Sequence, residues 1–326
     1  MKVLVVGAAG MIGRKLCKRL TGEGRLAGRP IAEARLVDVV APPPLPAPFP
    51  VVCEAFDIAA PYVAPKLAGG RPDVIFLLAA VVSGEAEADF DKGYAVNLGG
   101  TLALFEAIRR EHVLSGGAYR PRLIFTSSIG VFGAPFPEVI DDDFAPAPLT
   151  SYGTQKAMCE LLLADYSRRG FFDGVGLRLP TICVRPGAPN KAASGFFSGI
   201  IREPLAGKEA ILPVDDDVRH WHASPRSAVG FLMRAAGLDL SLLGGRRTLN
   251  MPGVSATVGD EIEALRRVAG ESAVALIRRE RDETIARIVA GWPEAFDAAR
   301  ARSLGFNAET DFSAIVQAYI EDDFRG

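Results

Sequence analysis

Tyr152 and Lys156 stand four residues apart at the head of the segment SYGTQKAMCELLLADYS. On a helix that spacing puts both side chains on one face, within reach of a shared ligand. A phenol with a pKa of about 10 is too weak a base to take a proton at neutral pH. A lysine ammonium one turn away favours the phenolate, so the pair has the chemistry to deprotonate an alcohol while hydride leaves its carbon. The segment LIFTSS comes before this helix, and its C-terminal end delivers Ser127 and Ser128 to the same sheet edge. Near the amino terminus, GAAGMIG sets Gly7, Gly10 and Gly13 directly after a short apolar run and at the start of a helical pattern. In that context Gly7 permits a tight turn, Gly10 lets the backbone approach a pyrophosphate, and Gly13 lets helix pack on strand. The helix start at Met11 and Ile12 then faces the negative charge. Asp38 ends the second apolar run. There a carboxylate can bond the adenosine ribose and repel a 2′-phosphate, so NAD is the expected cofactor, with Arg14 and Arg35 the residues that could reverse the preference. Asp57 and Ile58 follow the third run; the carboxylate either lies near the adenine amino group or is a plain loop aspartate.

The elements that must position these groups begin with short apolar runs at Lys2–Gly7, Arg35–Asp38, Pro50–Cys53, Val74–Ala79, Leu123–Ser127 and Val175–Leu179, with helical stretches between several of them. Continuous rather than alternating runs imply burial on both faces. The expected fold class is α/β, a doubly wound parallel (Rossmann) sheet with a smaller C-terminal substrate-binding lobe. After about residue 186 the alternation becomes irregular, and helical patterns return at Pro225–Gly237, Val258–Ala269 and Asp311–Phe324. Residues 1–185, together with 218–250, are therefore assigned to NAD binding, and 186–217 and 251–326 to the substrate lobe.

The chain has 326 residues and a net charge of −2, which gives no general reason to expect nucleic acid or an anionic membrane as partner. Its longest apolar run, Val74–Val82, has nine residues, well short of the about 20 needed to span a bilayer. The opening MKVLVVGAAGMIG carries three glycines and soon meets Arg14, unlike a secretory leader. Cys17, Cys53, Cys159 and Cys183 each fall inside an expected helix or strand with no CxxC pair, as reduced thiols of a cytoplasmic protein would. APPPLPAPFP at 41–50 reads as a loop between strands, and Asp141–Asp143 and Asp215–Asp217 as solvated faces rather than metal sites.

Taken together, GxxGxxG, the aspartate after the second strand, Asn97-Leu98-Gly99-Gly100-Thr101, SSIGVFG and YGTQK resemble an extended short-chain dehydrogenase/reductase, in that family's order over roughly residues 7–156. The resemblance implies Ser128 as the hydroxyl that bonds the substrate oxygen, Tyr152 as acid/base, and Lys156 as its electrostatic partner and holder of the nicotinamide ribose. It also implies Leu78, Ala79, Ala80 and Asn97 around the cofactor, and Ser83 in the substrate loop. Phe132 departs from the tyrosine often found before the glycine of SSIGVFG. Arg219-His220-Trp221-His222 occupies the place of the family's Arg-Asp-aromatic-hydrophobic-His segment, and Arg219 can offer a two-donor fork to a carboxylate. His220 and His222 lack a third ligand at metal spacing, so packing or substrate contact is the expectation.

The longer phrases AAVVSGEAEADFDKGYAVNLGGT, RHWHASPRSAVG and GWPEAFDAARARSLGF are similar to sugar-acid dehydrogenases of that family. This implies oxidation of a 2-hydroxyl to the 2-oxo acid, with Arg219 as carboxylate clamp and Ser83, Asn190 and Ser194 against the substrate hydroxyls. Asn190 and Ser194 read equally well as turn-forming loop residues. A nucleotide-sugar epimerase or dehydratase that retains its NAD would share the whole set. A non-catalytic dinucleotide sensor would be expected to lack Tyr152 or Lys156. Members commonly pair through two helices, here Asp89–Arg110 and Ser151–Arg168, so a homodimer is expected.

Overall fold

The computed structural model describes residues 1–187 and 193–324. Strands β1 (Lys2–Val6), β2 (Glu33–Asp38), β3 (Val51–Ala55), β4 (Val74–Leu77), β5 (Arg122–Ser128) and β6 (Asp173–Leu179) fall on the six apolar runs, and a short β7 (Thr248–Asn250) completes the sheet. Helices α1 (Met11–Glu23), α2 (Val63–Gly69), α3 (Ser83–Ala88), α4 (Thr101–Leu114) and α5 (Ser151–Arg168) lie between them, followed by α6 (Gly195–Leu205), α7 (Val258–Ala269) and α8 (Phe312–Asp322). The chain divides into two compact units. One comprises Met1–Val131, Thr150–Arg178 and Val229–Leu249; the other comprises Phe132–Leu149, Leu179–Ala228 and Asn250–Gly326.

In the first unit the strands are ordered β3-β2-β1-β4-β5-β6-β7, and the pairings from β3 to β5 are all parallel. Leu4, Val6, Ile75, Leu77, Leu123 and Phe125 face one way, onto Val63 and Leu67 of α2, Phe105 and Ile108 of α4, and Leu163 of α5. The alternate residues Val3, Val5, Phe76 and Ile124 are buried too. Burial on both faces is what the unbroken apolar runs require. Strand order reverses between β1 and β4, and in such sheets the crevice beyond the carboxyl ends of those strands receives the ligand. The glycine turn, Asp38, Leu78 and Ser128 all lie at carboxyl ends of these strands.

Two local expectations differ. The stretch Asp89–Arg110 is not one unbroken α-helix: a single α-helical turn at Phe90–Gly93 leads into a π-helix at Tyr94–Gly100 and only then into α4. Gly100 in that segment lies so close to Ile58 that a Cβ would be 2.8 Å from its Cγ2. Cys183 lies just past the strand Thr181–Ile182 rather than within it; all four cysteines are free.

The second unit has its own core, with Phe197 and Ile200 of α6, Ile262 and Leu265 of α7, and Ile315 and Val316 of α8. Strand Arg219–Ala223 runs antiparallel to Val254–Thr257 and parallel to Thr181–Ile182. Thr257 and Asp260 form a reciprocal capping box at the start of α7. Among the described residues no helix is long and apolar enough to cross a membrane.

Candidate active site

The first turn is folded back on β2, because the Gly7 and Ala8 amides both donate to Val37 O, at 2.8 and 3.0 Å. Gly7 has φ +96°, and a Cβ there would lie 2.5 Å from Ala79 N. At Gly13 a Cβ would lie 2.0 Å from Gly7 O, so no side chain fits where α1 meets the turn. Gly10 is different: its backbone is extended, and a Cβ would meet only Gly7 O at 3.4 Å. Helix α1 begins with no side-chain cap and no acidic residue in its first turn, so its amino end at Met11 and Ile12 carries an uncompensated positive dipole.

Asp38 accepts from Ala9 N through Oδ2 at 2.8 Å and from Val39 N through Oδ1 at 2.7 Å. Both carboxylate oxygens keep a lone pair for ribose hydroxyls. Arg35 is committed elsewhere, with Nη2 2.7 Å from Glu54 Oε2. Asp57 Oδ1 accepts from Ala59 N at 2.9 Å, Ile58 is buried, and Leu78, Ala79 and Ala80 are half-buried just past β4. A bare positive helix end, a backbone cradle that a Cβ would fill and an anchored carboxylate fit a dinucleotide.

Helix α5 is capped by Thr150, whose hydroxyl accepts from Gly153 N at 3.1 Å. Lys156 is 3% exposed; its Nζ donates to Thr126 O at 2.8 Å and lies 4.7 Å from the Phe125 ring centre and 5.7 Å from that of Tyr152. Burial pulls the Lys156 pKa down to about 8, against the opposing pull of Cys159 and Glu160. Ser128 Oγ accepts from Gly130 N at 3.0 Å. A Cβ on Gly130 would lie 3.3 Å from Ser128 Oγ and 3.7 Å from Tyr152 Cδ1, so hydroxyl and phenol ring flank one point. Ser128, Tyr152 and Lys156 are thus gathered at the carboxyl end of β5.

Asn97, buried in the π-helix, accepts from Val81 N at 2.7 Å and donates to Val81 O at 3.0 Å and Gln155 Oε1 at 2.7 Å. Its side chain therefore holds the loop after β4 against α5. Ser83, exposed, opens α3, and Glu87 of the same helix accepts from Ser151 N at 3.0 Å. Sequence reasoning passed over Gln155, Glu160 and Arg178. The glutamate one turn beyond Lys156 was the available signal, whereas its bidentate partner Arg178 comes from another element, 18 residues away.

Arg219 and Ser194 belong to the second unit, and Asn190 lies outside the described residues. Arg219 is exposed, with long contacts from Nη1 to Ser255 O at 3.4 Å and Ser255 Oγ at 3.5 Å. Ser194 Oγ accepts from Arg185 Nη2 at 3.0 Å, and Arg185 Nε donates to Ile182 O at 2.9 Å. No local motif marked Arg185. Burial pulls the His220 pKa to about 4, so the ring is neutral: Nδ1 donates to Pro293 O at 3.0 Å and Nε2 accepts from Thr181 Oγ1 at 2.7 Å. His222 and Glu261 lie 3.1 Å apart at zero exposure, and burial pushes the imidazole down and the carboxyl up. Both histidines pack against Phe197. Among the described residues no group of three or more His, Cys, Asp or Glu is placed to hold a metal. Asp141 accepts from Asp143 N and Phe144 N, and Asp216 pairs with Arg279.

The pattern of the NAD dependent epimerase/dehydratase family matches residues 3–223. The chain is 47% identical to D-erythronate dehydrogenase of Cupriavidus necator, over 99% of this chain and 98% of that one. It is 42% identical to D-erythronate dehydrogenase of Haemophilus influenzae, over 99% and 100%. The crystal structure of the nucleoside-diphosphate-sugar epimerase from Agrobacterium tumefaciens matches with a TM-score of 0.96 at 62% identity, covering 99% of this chain and 94% of that one. Likeness of sequence and fold extends over nearly the whole chain, which therefore belongs to the NAD dependent epimerase/dehydratase family as an NAD-dependent oxidoreductase of the extended short-chain type.

Proposed function

We propose that this enzyme oxidises the 2-hydroxyl of a short sugar acid, D-erythronate or a near analogue, to the 2-oxo acid. The observation that carries the reaction type is the buried Lys156 ammonium one turn from Tyr152, with Ser128 across Gly130. The substrate class is supported by the two D-erythronate dehydrogenase relatives. Gly7, Gly10, Met11, Ile12, Gly13 and Asp38 would hold NAD, with Asp57, Ile58 and the Leu78–Ala80 loop that Asn97 braces. When bound, NAD supplies the hydride acceptor. Tyr152, as the phenolate, takes the proton of the 2-hydroxyl, and Lys156 stabilises that phenolate. Ser128 donates a hydrogen bond to the substrate oxygen as it becomes a carbonyl. Arg219 clamps the carboxylate, while Ser83, Asn190 and Ser194 take the remaining hydroxyls. The bond from Arg185 leaves the Ser194 proton available for that purpose. We assign the enzyme to the cytoplasm, where its four free thiols would stay reduced.

A second reading, a nucleotide-sugar epimerase that regenerates its NAD within each cycle, draws on the name of the Agrobacterium tumefaciens protein. One experiment separates the two. NADH absorbance is followed with a panel of four- to six-carbon aldonates and, in parallel, nucleotide sugars. Net NADH formed in step with aldonate consumed is the expected result; isomerised nucleotide sugar without net NADH would overturn it.

A further inference from the structure

Beneath the proposed acid/base pair lies a polar group that apolar packing alone would not require. Glu160 follows Lys156 by one turn of α5, so the two side chains share a face. Arg178 of β6 grips its carboxylate twice, Nε to Oε1 at 3.0 Å and Nη2 to Oε2 at 2.7 Å, and Ser127 Oγ of β5 donates to Oε1. Glu160 and Arg178 are only 6% and 8% exposed. A buried ion pair adds little net stability over apolar side chains of the same volume, so its presence at this spot calls for another reason.

Lys156 supplies that reason. On its own helix the titratable groups near it are Tyr152, Cys159 and Glu160; β5 contributes the Thr126 carbonyl and the Phe125 ring, and β6 contributes Arg178 bound to Glu160. Burial pushes the Cys159 thiol up to about 11, and it donates to Asn97 O at 3.3 Å, so it is neutral. Glu160 is then the anion on this face among the described residues. We infer that Glu160 is a positioning residue for Lys156: fixed by Arg178 and Ser127, its carboxylate keeps the buried ammonium charged beside Tyr152 and ties α5 to the strand end that carries Ser128. The inference rests on the acid/base reading of Tyr152 and Lys156 given above. Without the carboxylate, the buried ammonium gives up its proton at lower pH. The reactive form, lysine charged and tyrosine ionised, then becomes scarce.

The test is an NMR titration of the Lys156 side chain in the free protein, its signal identified by loss in Lys156→Arg, alongside the pH profile of kcat/KM. Glu160→Gln keeps the shape, and Glu160→Asp keeps the charge. The double variant Glu160→Gln/Arg178→Leu leaves no unpaired buried guanidinium, in case the single change fails to fold. In the Gln and double variants Lys156 should titrate lower by about one unit or more, and in the Asp variant at its wild-type position. The acidic limb of kcat/KM should move down with the lysine, and the plateau should fall by at least about tenfold. An unmoved Lys156 titration in either folded Gln-containing variant, or an equal displacement in Glu160→Asp, overturns the inference. Tyr152→Phe distinguishes the failures. If that variant keeps its turnover, the acid/base reading itself is lost; if it is inactive and Lys156 is unmoved in Glu160→Gln, only the role of Glu160 is lost.

Discussion

At the scale of single residues, Lys156 is costly to bury. Burial lowers its pKa from 10.5 to about 8, which corresponds to about 3 kcal/mol against the charged form in the fold. The folded pKa lies below the unfolded one, so between those two values the unfolded chain binds the extra proton and stability rises with pH; below about 8 the full penalty applies. Lys156→Met keeps the volume without the charge. It is expected to raise the Tm of the free protein at pH 7 by about 5 °C, with the gain shrinking toward pH 10, while turnover is lost. A lowered Tm at pH 7 would mean that the bond to Thr126 O outweighs the cost of burial. Arg219 is the opposite case, an exposed guanidinium with long contacts to Ser255. If it clamps the substrate carboxylate, Arg219→Ala should reduce kcat/KM on the acid by at least about a hundredfold, and Arg219→Lys should recover only part of that loss. On the neutral amide analogue the alanine variant should lose little. Equal losses on acid and amide would make the arginine structural.

At the scale of elements, the three glycines of the first turn separate into two kinds. A Cβ on Gly13 would meet Gly7 O at 2.0 Å and Ala8 Cα at 2.8 Å, both backbone atoms that cannot move aside cheaply, whereas Gly10 has only one neighbour at 3.4 Å. Gly13→Ala should therefore destabilise the protein before any ligand is added. Gly10→Ala should leave the Tm of the free protein nearly unchanged and weaken NAD binding by at least about tenfold, because its Cβ would occupy the space a pyrophosphate approaches. Calorimetric binding paired with thermal melts reads both effects, and a large Tm loss for Gly10→Ala would remove the ligand-space argument. Much of this layout was legible in the sequence, because buried parallel strands are continuous apolar runs and a capped helix announces its start. Helix α7 begins at the residue after Thr257 because that threonine and Asp260 bond each other's backbone amides. The π-helix at Tyr94–Gly100 was not legible, since widening a helical turn changes neither composition nor polarity. Nor was the grip of Arg178 on Glu160, which joins a strand to a helix and leaves no local period in either.

At the scale of the whole molecule, α4 and α5 each bury one side in the core, through Leu104, Phe105 and Ile108 on α4 and Cys159 and Leu163 on α5. Their outer sides carry Leu102, 37% exposed, and Leu161, 73% exposed. A lone exposed leucine is ordinary, but these lie on the two helices through which the resemblance leads one to expect pairing. We propose that two copies join through α4 and α5 about a twofold axis. In such an isologous contact every substitution acts twice, once from each copy. Leu161→Glu would set two carboxylates into one apolar seam, and charge without a partner is expensive to desolvate. Light scattering behind a sizing column should give twice the chain mass for the wild type and the single chain mass for Leu161→Glu. Leu242→Glu, the same apolar-to-charged change at an exposed leucine on the turn Leu240–Leu243, should remain a dimer. A wild type that is monomeric at every concentration, or a Leu161→Glu variant that stays paired, would end the proposal. Because α5 also carries Tyr152 and Lys156, the monomer is expected to turn over more slowly. Full kcat in a folded monomer would mean that pairing serves stability alone and that the acid/base helix is held in place by its own unit.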